Sequence, residues 1–346
     1  MNAKKEKQHF VPQFYLKKFS NDNDEKSISV FLKNTCKFIK SASIKGQSQK
    51  THYYGKDQII ENYLMGIETP ASIVFNKICQ SEAIFKEPFE DYFRILHFAI
   101  NLYFRNPIQS ELILNHDANF NDHYEKYKDS PEIKSLIDNK ITLAQSIGIS
   151  LIQSPRIAKM CADLTCKLIL NKSSIPFITS DNPVVKYNSF SDRFKNISAS
   201  FVSYGLQIFF PLSPSLMLLY YDSKAYTIKE DDKDLIFITE ESEILQLNLL
   251  QVLNLSNCLY FNKNISDSNI LSLASQLPKY TVPNQIMPIE FGSYFFQVVS
   301  EVKMNLQLSC MQVLDYPNAI TGQMILPMRP FAKKMRDLFE KENEHR

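Results

Sequence analysis

Residues 176–183, Pro-Phe-Ile-Thr-Ser-Asp-Asn-Pro, mark the point where the chain changes period. A short apolar run, Phe177-Ile178, leads into four turn-forming residues, as in a strand that leaves a core and ends in a loop. Before this stretch the apolar residues recur every three or four positions. In 58–80, Ile59, Ile60, Tyr63, Leu64, Ile67, Ile73, Val74 and Ile78 follow that spacing, with Pro70 inside the run as an expected kink or restart. Residues 89–105 repeat the pattern up to Pro107, and further helices are predicted over 108–128, 131–147 and 153–171. Four to five helices therefore fill a block from about 58 to 172. After the change of period, 206–211 and 216–221 read as strands joined by Ser213-Pro214-Ser215. A helix is expected over 239–256, a strand over 258–261 and a helix over 266–277.

At the start of the chain, 27–33 alternates and turns at Asn34-Thr35 into a return strand over 37–41, a β-hairpin. At the other end, 294–302 and 303–313 read as a pair of strands, and 329–344 as an amphipathic end helix. Helices gather in one block and strands lie on both sides of it. This arrangement implies an α+β fold with a mixed or antiparallel sheet in the C-terminal half, not alternating α/β. The expected division is one domain over 1–285 and an extension over 286–346.

The composition agrees with a globular chain: 346 residues, 44% hydrophobic and 22% charged, long enough to bury a core without disulfides. The net charge of +2 demands neither nucleic acid nor membrane. Residues 1–50, however, carry eleven Lys against four acidic groups, so this segment could meet nucleic-acid phosphates or form a solvated edge. Only 7 Gly occur and they stand apart, which excludes a P-loop and a dinucleotide fingerprint. The six Cys show no zinc spacing and the six His form no HExxH, so no metal site is read and no cofactor is indicated. No secretory signal or membrane-length apolar run is visible, which points to a cytoplasmic protein.

Several polar residues lie in apolar surroundings. His9, in Gln8-His9-Phe10-Val11-Pro12, could serve as a general base, a metal ligand or a substrate donor, or could be satisfied by one backbone bond. Asp181 could accept a proton or bind a metal and Asn182 could hold a substrate oxygen, or both could form an Asx-turn. Glu68 and Arg105 are single charges in apolar helical patterns and need partners, each other or Asp181. Asn248 and Gln251 fall on adjoining parts of one face of an otherwise apolar helix, to line a polar cavity or tie strands together.

The pattern Gln8-His9-x-Val11-Pro12-x-x-Tyr15-Leu16-x-x-Phe19 resembles the signature of a bacterial family of unknown function, the QHxVPxxYLxxF proteins. Ile67-Glu68, Thr179-Ser180-Asp181-Asn182-Pro183-Val184 and Phe210-Pro211-Leu212-Ser213-Pro214 follow in order, over about residues 4–262. The family carries no settled activity. The resemblance implies that His9, Glu68, Arg105, Asp181 and Asn182 are marked positions sharing one site.

Two readings follow. In the first, the chain is a hydrolase or nuclease-like effector acting on a phosphate-containing substrate. His9 and Asp181 are then catalytic, while Gln8, Glu68, Arg105, Asn182 and Asn248 hold the substrate. His9-x-x-Pro12 is similar to the first strand of His-metal-finger nucleases, but the Asn-and-His pair and the Cys knuckle of that group are missing. In the second, the chain is a non-catalytic binding or sensor module of a bacterial defence or regulatory system, phage defence among them.

Overall fold

The computed structural model describes residues 6–22, 25–85, 87–125, 129–130, 134, 139–193, 200–279, 286–291, 294–299, 304–315 and 326–344. The chain begins with β1 (Lys7–His9) and the single turn α1 (Gln13–Leu16), followed by the hairpin β2 (Ser27–Leu32) and β3 (Lys37–Ser43) and by β4 (Gln49–Thr51). The hairpin predicted from the alternating pattern is present, with β2 and β3 antiparallel. β1 pairs antiparallel with β4, a contact between short segments about 40 residues apart that the pattern did not reveal.

The helical block follows: α2 (Ile59–Ser81), α3 (Phe89–Phe104), α4 (Pro107–Tyr124) and α5 (Leu143–Met160). α2 runs unbroken through Pro70, because Leu64, Ala71, Val74, Phe75 and Ile78 are buried on both sides of it and keep the two halves in line. Pro107 ends nothing by itself. It is the first residue of α4, with Asn106 as the N-cap accepting from Ile108 N at 2.8 Å. The expectation of helices over 131–147 and 153–171 needs correction. Most of 131–138 lies outside the described residues. One helix, α5, spans the interval up to Met160 from a Thr142–Gln145 capping box. Residues 165–171 are then a strand.

That strand, β5 (Thr165–Asn171), opens the sheet-forming half: β6 (Thr179–Ser180), β7 (Val185–Tyr187), β8 (Gln207–Ser213), β9 (Leu216–Tyr221), β10 (Tyr226–Ile228) and β11 (Leu235–Ile238). Next come α6 (Glu241–Asn254), β12 (Cys258–Phe261) and α7 (Asp267–Ala274). The chain closes with β13 (Ile286–Phe291), β14 (Tyr294–Val299), β15 (Met311–Val313) and α8 (Pro330–Glu344). The expected terminal strand pair is also corrected. β14 pairs with β13, and β15 pairs back onto β10.

A five-stranded sheet, in the order β11-β5-β9-β8-β7, is the centre of the molecule. It is mixed, because β11 runs parallel to β5 while the other pairs are antiparallel. Its inner strands β5, β8 and β9 are buried on both faces, so they read as nearly continuous apolar runs. On β8 and β9, Ile208, Phe210, Leu218 and Tyr220 join one core with residues of α2, α3 and α5. Their alternates Phe209, Met217, Leu219 and Tyr221 join a second core with residues of α6 and β12. A four-stranded sheet, β3-β2-β12-β6, links the N-terminal hairpin to the C-terminal half.

Segments after residue 300 are bonded to the preceding elements. Met304 and Leu306 donate their backbone N–H groups to the Tyr187 hydroxyl, Gln307 to Gln246 Oε1, and Ser309 to Glu243 Oε2. Arg329 is 1% exposed and donates to the carbonyls of Met160, Phe201 and Ser203 and to the Asp163 carboxylate. Removing it strands a carboxylate and three carbonyls. Arg329→Met should therefore lower stability by about 3–5 kcal/mol in denaturant unfolding. A loss below about 1 kcal/mol would show that these contacts do not hold this part of the chain in place.

Candidate functional site

Strand period divides the N-terminal motif. Successive residues of a strand point to opposite faces, and β1 sends Gln8 inward and His9 outward. Gln8 is fully buried; its Oε1 accepts from Tyr54 N at 2.6 Å and its Nε2 donates to Gly55 O at 3.1 Å. It thus closes the turn after β4, with both ends of its amide used. The remaining signature residues are also explained by folding. Val11, Leu16 and Phe19 are core residues. Tyr15 donates its hydroxyl to Pro211 O at 2.8 Å and meets the Thr179 hydroxyl at 2.6 Å, which ties the motif to β6 and β8. Pro12 precedes α1 with φ −63°, its natural value.

His9 is different. Its Nε2 lies 3.1 Å from the Lys45 carbonyl and 3.3 Å from the Gln13 amide nitrogen, so the ring is held between α1 and the turn after β3. There it lines an open pocket of about 390 Å³ with Lys7, Gln13, Ser43, Lys45 and Gln49. Lys7, Lys45 and His9 are among its lining residues, and none of those residues is acidic.

The Thr179–Val184 segment has a clear structural use. Asp181 Oδ1 accepts from Ser256 N at 2.8 Å, and Oδ2 accepts from Asn257 N at 2.8 Å and Cys258 N at 3.0 Å. These amides form the turn from α6 into β12, and the carboxylate is their acceptor. Burial pushes its pKa up, against the three amide bonds and nearby Lys33, which pull it down. Both oxygens accept backbone bonds, and the residue is only 3% exposed. The amides of α6 bind the same segment in three-residue steps. Asn248 accepts from Ile178 N and donates to Pro176 O. Gln251 accepts from the Ser180 hydroxyl and donates to Pro183 O. Asn254 donates to the carbonyls of Asn182 and Val184, while Asn182 Nδ2 returns a bond to Asn254 O. Of the two alternatives for Asn248, the geometry is the tie and not a cavity lining. Gln251 and Asn254 complete it, as buried amides of the same helix that need partners.

The buried charges form a third group. Arg105, fully buried, donates Nη1 to Glu68 on α2. Tyr53 donates to the Arg105 carbonyl at 3.3 Å, and Tyr54 donates to the carbonyl of His9 at 3.1 Å. Burial alone would depress the guanidinium's pKa; Glu68 and its neighbours outweigh this and hold it above the ordinary value. The next residue, Asn106, donates to the Asp181 carbonyl at 2.7 Å. Gln8, Glu68, Arg105, Asp181 and Asn182 are therefore linked through one chain of contacts across the interior. His9 joins that chain through its backbone carbonyl, and its side chain lies on the other face of β1. Among the described residues no group of three His, Cys, Asp or Glu could hold a metal ion, and the six cysteines are free thiols.

The family described as "Protein of unknown function (DUF4238)" matches residues 7–264, from the first residue of β1 to just beyond β12. The chain belongs to this family. Its matched region holds Gln8, His9, Glu68, Arg105, Asp181, Asn182 and Asn248, while β13 to α8 lie beyond it. No curated protein and no solved structure matches the chain. Among the described residues no helix is long and apolar enough to cross a membrane.

Proposed function

We propose that the chain binds a phosphate-bearing ligand, a nucleotide or a nucleic-acid strand, in the pocket that His9 shares with Lys7 and Lys45. The observation that carries this reading is the outward His9 side chain: in a signature whose other residues are used by the fold, it alone projects into an open, cationic pocket. Two lysines supply charge for a phosphate group, and His9 supplies a ring that can share a proton with a phosphate oxygen. The Lys-rich first 50 residues extend that positive field. Hydrolysis at this pocket would use His9 as its general acid or base. This reading leaves Asp181 out of the chemistry, since its carboxylate accepts three backbone bonds of the turn at residues 256–258. That commitment favours recognition as the primary role, with catalysis resting on His9.

Fluorescence anisotropy with a labelled oligonucleotide and a labelled nucleotide, titrated over a salt series, tests the proposal. Binding should weaken with salt, and the Lys7→Gln, Lys45→Gln double variant should reduce the slope of log K against log salt by about 2, roughly one per phosphate contact. An unchanged slope and affinity in the double variant would remove the pocket from the account.

A further inference from the structure

The turn after β7 and the segment that leads into β15 enclose a second pocket, of about 310 Å³. That volume lies in the range of sites that take small organic ligands, about 300–1,000 Å³. Ser189, Asp192 and Arg193 line it from the turn, and Asn305, Gln307 and Met311 from the segment. Its walls are held by buried bonds. The Tyr187 hydroxyl accepts from Met304 N at 3.2 Å and from Leu306 N at 3.3 Å. Gln207, fully buried, accepts from Ser189 N and Oγ at its Oε1 and donates Nε2 to the Met311 sulfur at 2.9 Å. Arg193 donates Nη2 to the Val313 carbonyl at 3.0 Å, which closes the turn onto β15.

The lining selects the ligand's chemistry. One carboxylate and one guanidinium balance each other, so the pocket favours neither a phosphate nor a cation. Leu306, Leu308 and Val313 add apolar surface, and the polarisable Met311 sulfur suits the face or edge of a flat ring. The remaining polar groups are the side-chain amides of Asn305 and Gln307, which bond to no described residue, and the Ser189 hydroxyl. That hydroxyl donates to Gln207 and keeps its lone pairs to accept. A side-chain amide sets an acceptor beside a donor, the complement of a heterocycle edge that carries one of each.

We propose that this pocket binds a nucleobase, its ring against Met311 and its hydrogen-bonding edge on the amides of Asn305 and Gln307. Residues 305–313 lie beyond the matched region 7–264, so that region alone does not build the site. It shares no lining residue with the pocket at His9, and neither reading depends on the other.

The test uses the whole chain and follows the Met311 methyl signal by 13C–1H correlation NMR during titration with adenosine, guanosine, cytidine, uridine and ribose. Met311→Leu assigns the signal. None of these probes carries a phosphate for the lysines beside His9. At least one nucleoside should shift the signal saturably, with at least tenfold higher affinity than ribose. Gln307→Ala changes an exposed side chain, so it should melt near the native temperature and weaken that nucleoside at least fivefold, the loss of one paired amide. The Lys7→Gln, Lys45→Gln double variant should bind it as the native chain does. A methyl signal that no nucleoside moves would overturn the inference. So would ribose binding as tightly as the nucleosides, native affinity in Gln307→Ala, or loss of nucleoside binding in the double variant.

Discussion

Deleting residues 1–20 should leave a chain without a cooperative melting transition. Phe10, Val11, Tyr15, Leu16 and Phe19 are buried to between 0% and 7% exposure, and all five belong to the core that covers one face of the central sheet. Each large buried side chain contributes about 1.5–3 kcal/mol relative to exposure. Their joint loss is comparable to the whole stability of a typical domain, about 5–15 kcal/mol. Tyr15 adds polar contacts, since its removal strands the Pro211 carbonyl and the Thr179 hydroxyl. Circular dichroism on heating checks this. A truncated chain that melts cooperatively within a few degrees of the intact one would show that the segment is an appendage.

Asp181→Ala should destabilise the fold by about 3 kcal/mol or more, because three backbone N–H groups at residues 256–258 lose their acceptor at once. Asp181→Asn should cost less, about 1–2 kcal/mol: its carbonyl can face Asn257 and Cys258, but its amide nitrogen then meets the Ser256 N–H. Denaturant midpoints of the two variants give the comparison. Equal stability of Asp181→Ala and the native chain would mean that the carboxylate does not hold the turn, and would return Asp181 to the pool of residues free to act on a ligand.

The elements legible in the sequence are those whose pattern is local. The 27–43 hairpin, α2, α3 and the strands β8, β9 and β12 follow from alternation, from three-to-four spacing and from turn residues. β5 was not legible. Its sequence, TCKLILN, is an apolar run close behind a helix, and such a run fits a helix or a strand buried on both faces equally well. The β1–β4 and β10–β15 pairs are three residues long and join distant segments, so no local pattern announces them. The candidate site divides in the same way. The types and positions of Gln8, His9, Glu68, Arg105, Asp181 and Asn182 stood out because polar groups in apolar surroundings need partners. Their allotment did not, because it depends on β1 being a strand: once it is, a period of two places Gln8 and His9 on opposite faces. The amides of residues 256–258 as partners of Asp181, and Lys45 beside His9, are contacts across 75 and 36 residues, beyond the reach of spacing arguments.

Under the proposed function the two adjacent motif residues do different work, Gln8 in the fold and His9 at the pocket. Melting temperature and oligonucleotide affinity measured together on Gln8→Leu and His9→Gln test it most directly. Gln8→Leu should lower the melting temperature by several degrees, since it strands Tyr54 N and Gly55 O. The fraction that stays folded should bind as the native chain does. His9→Gln should melt within about a degree or two of native and bind several-fold more weakly. A folded His9→Gln protein with native affinity, or one that loses its fold as Gln8→Leu does, would contradict the account.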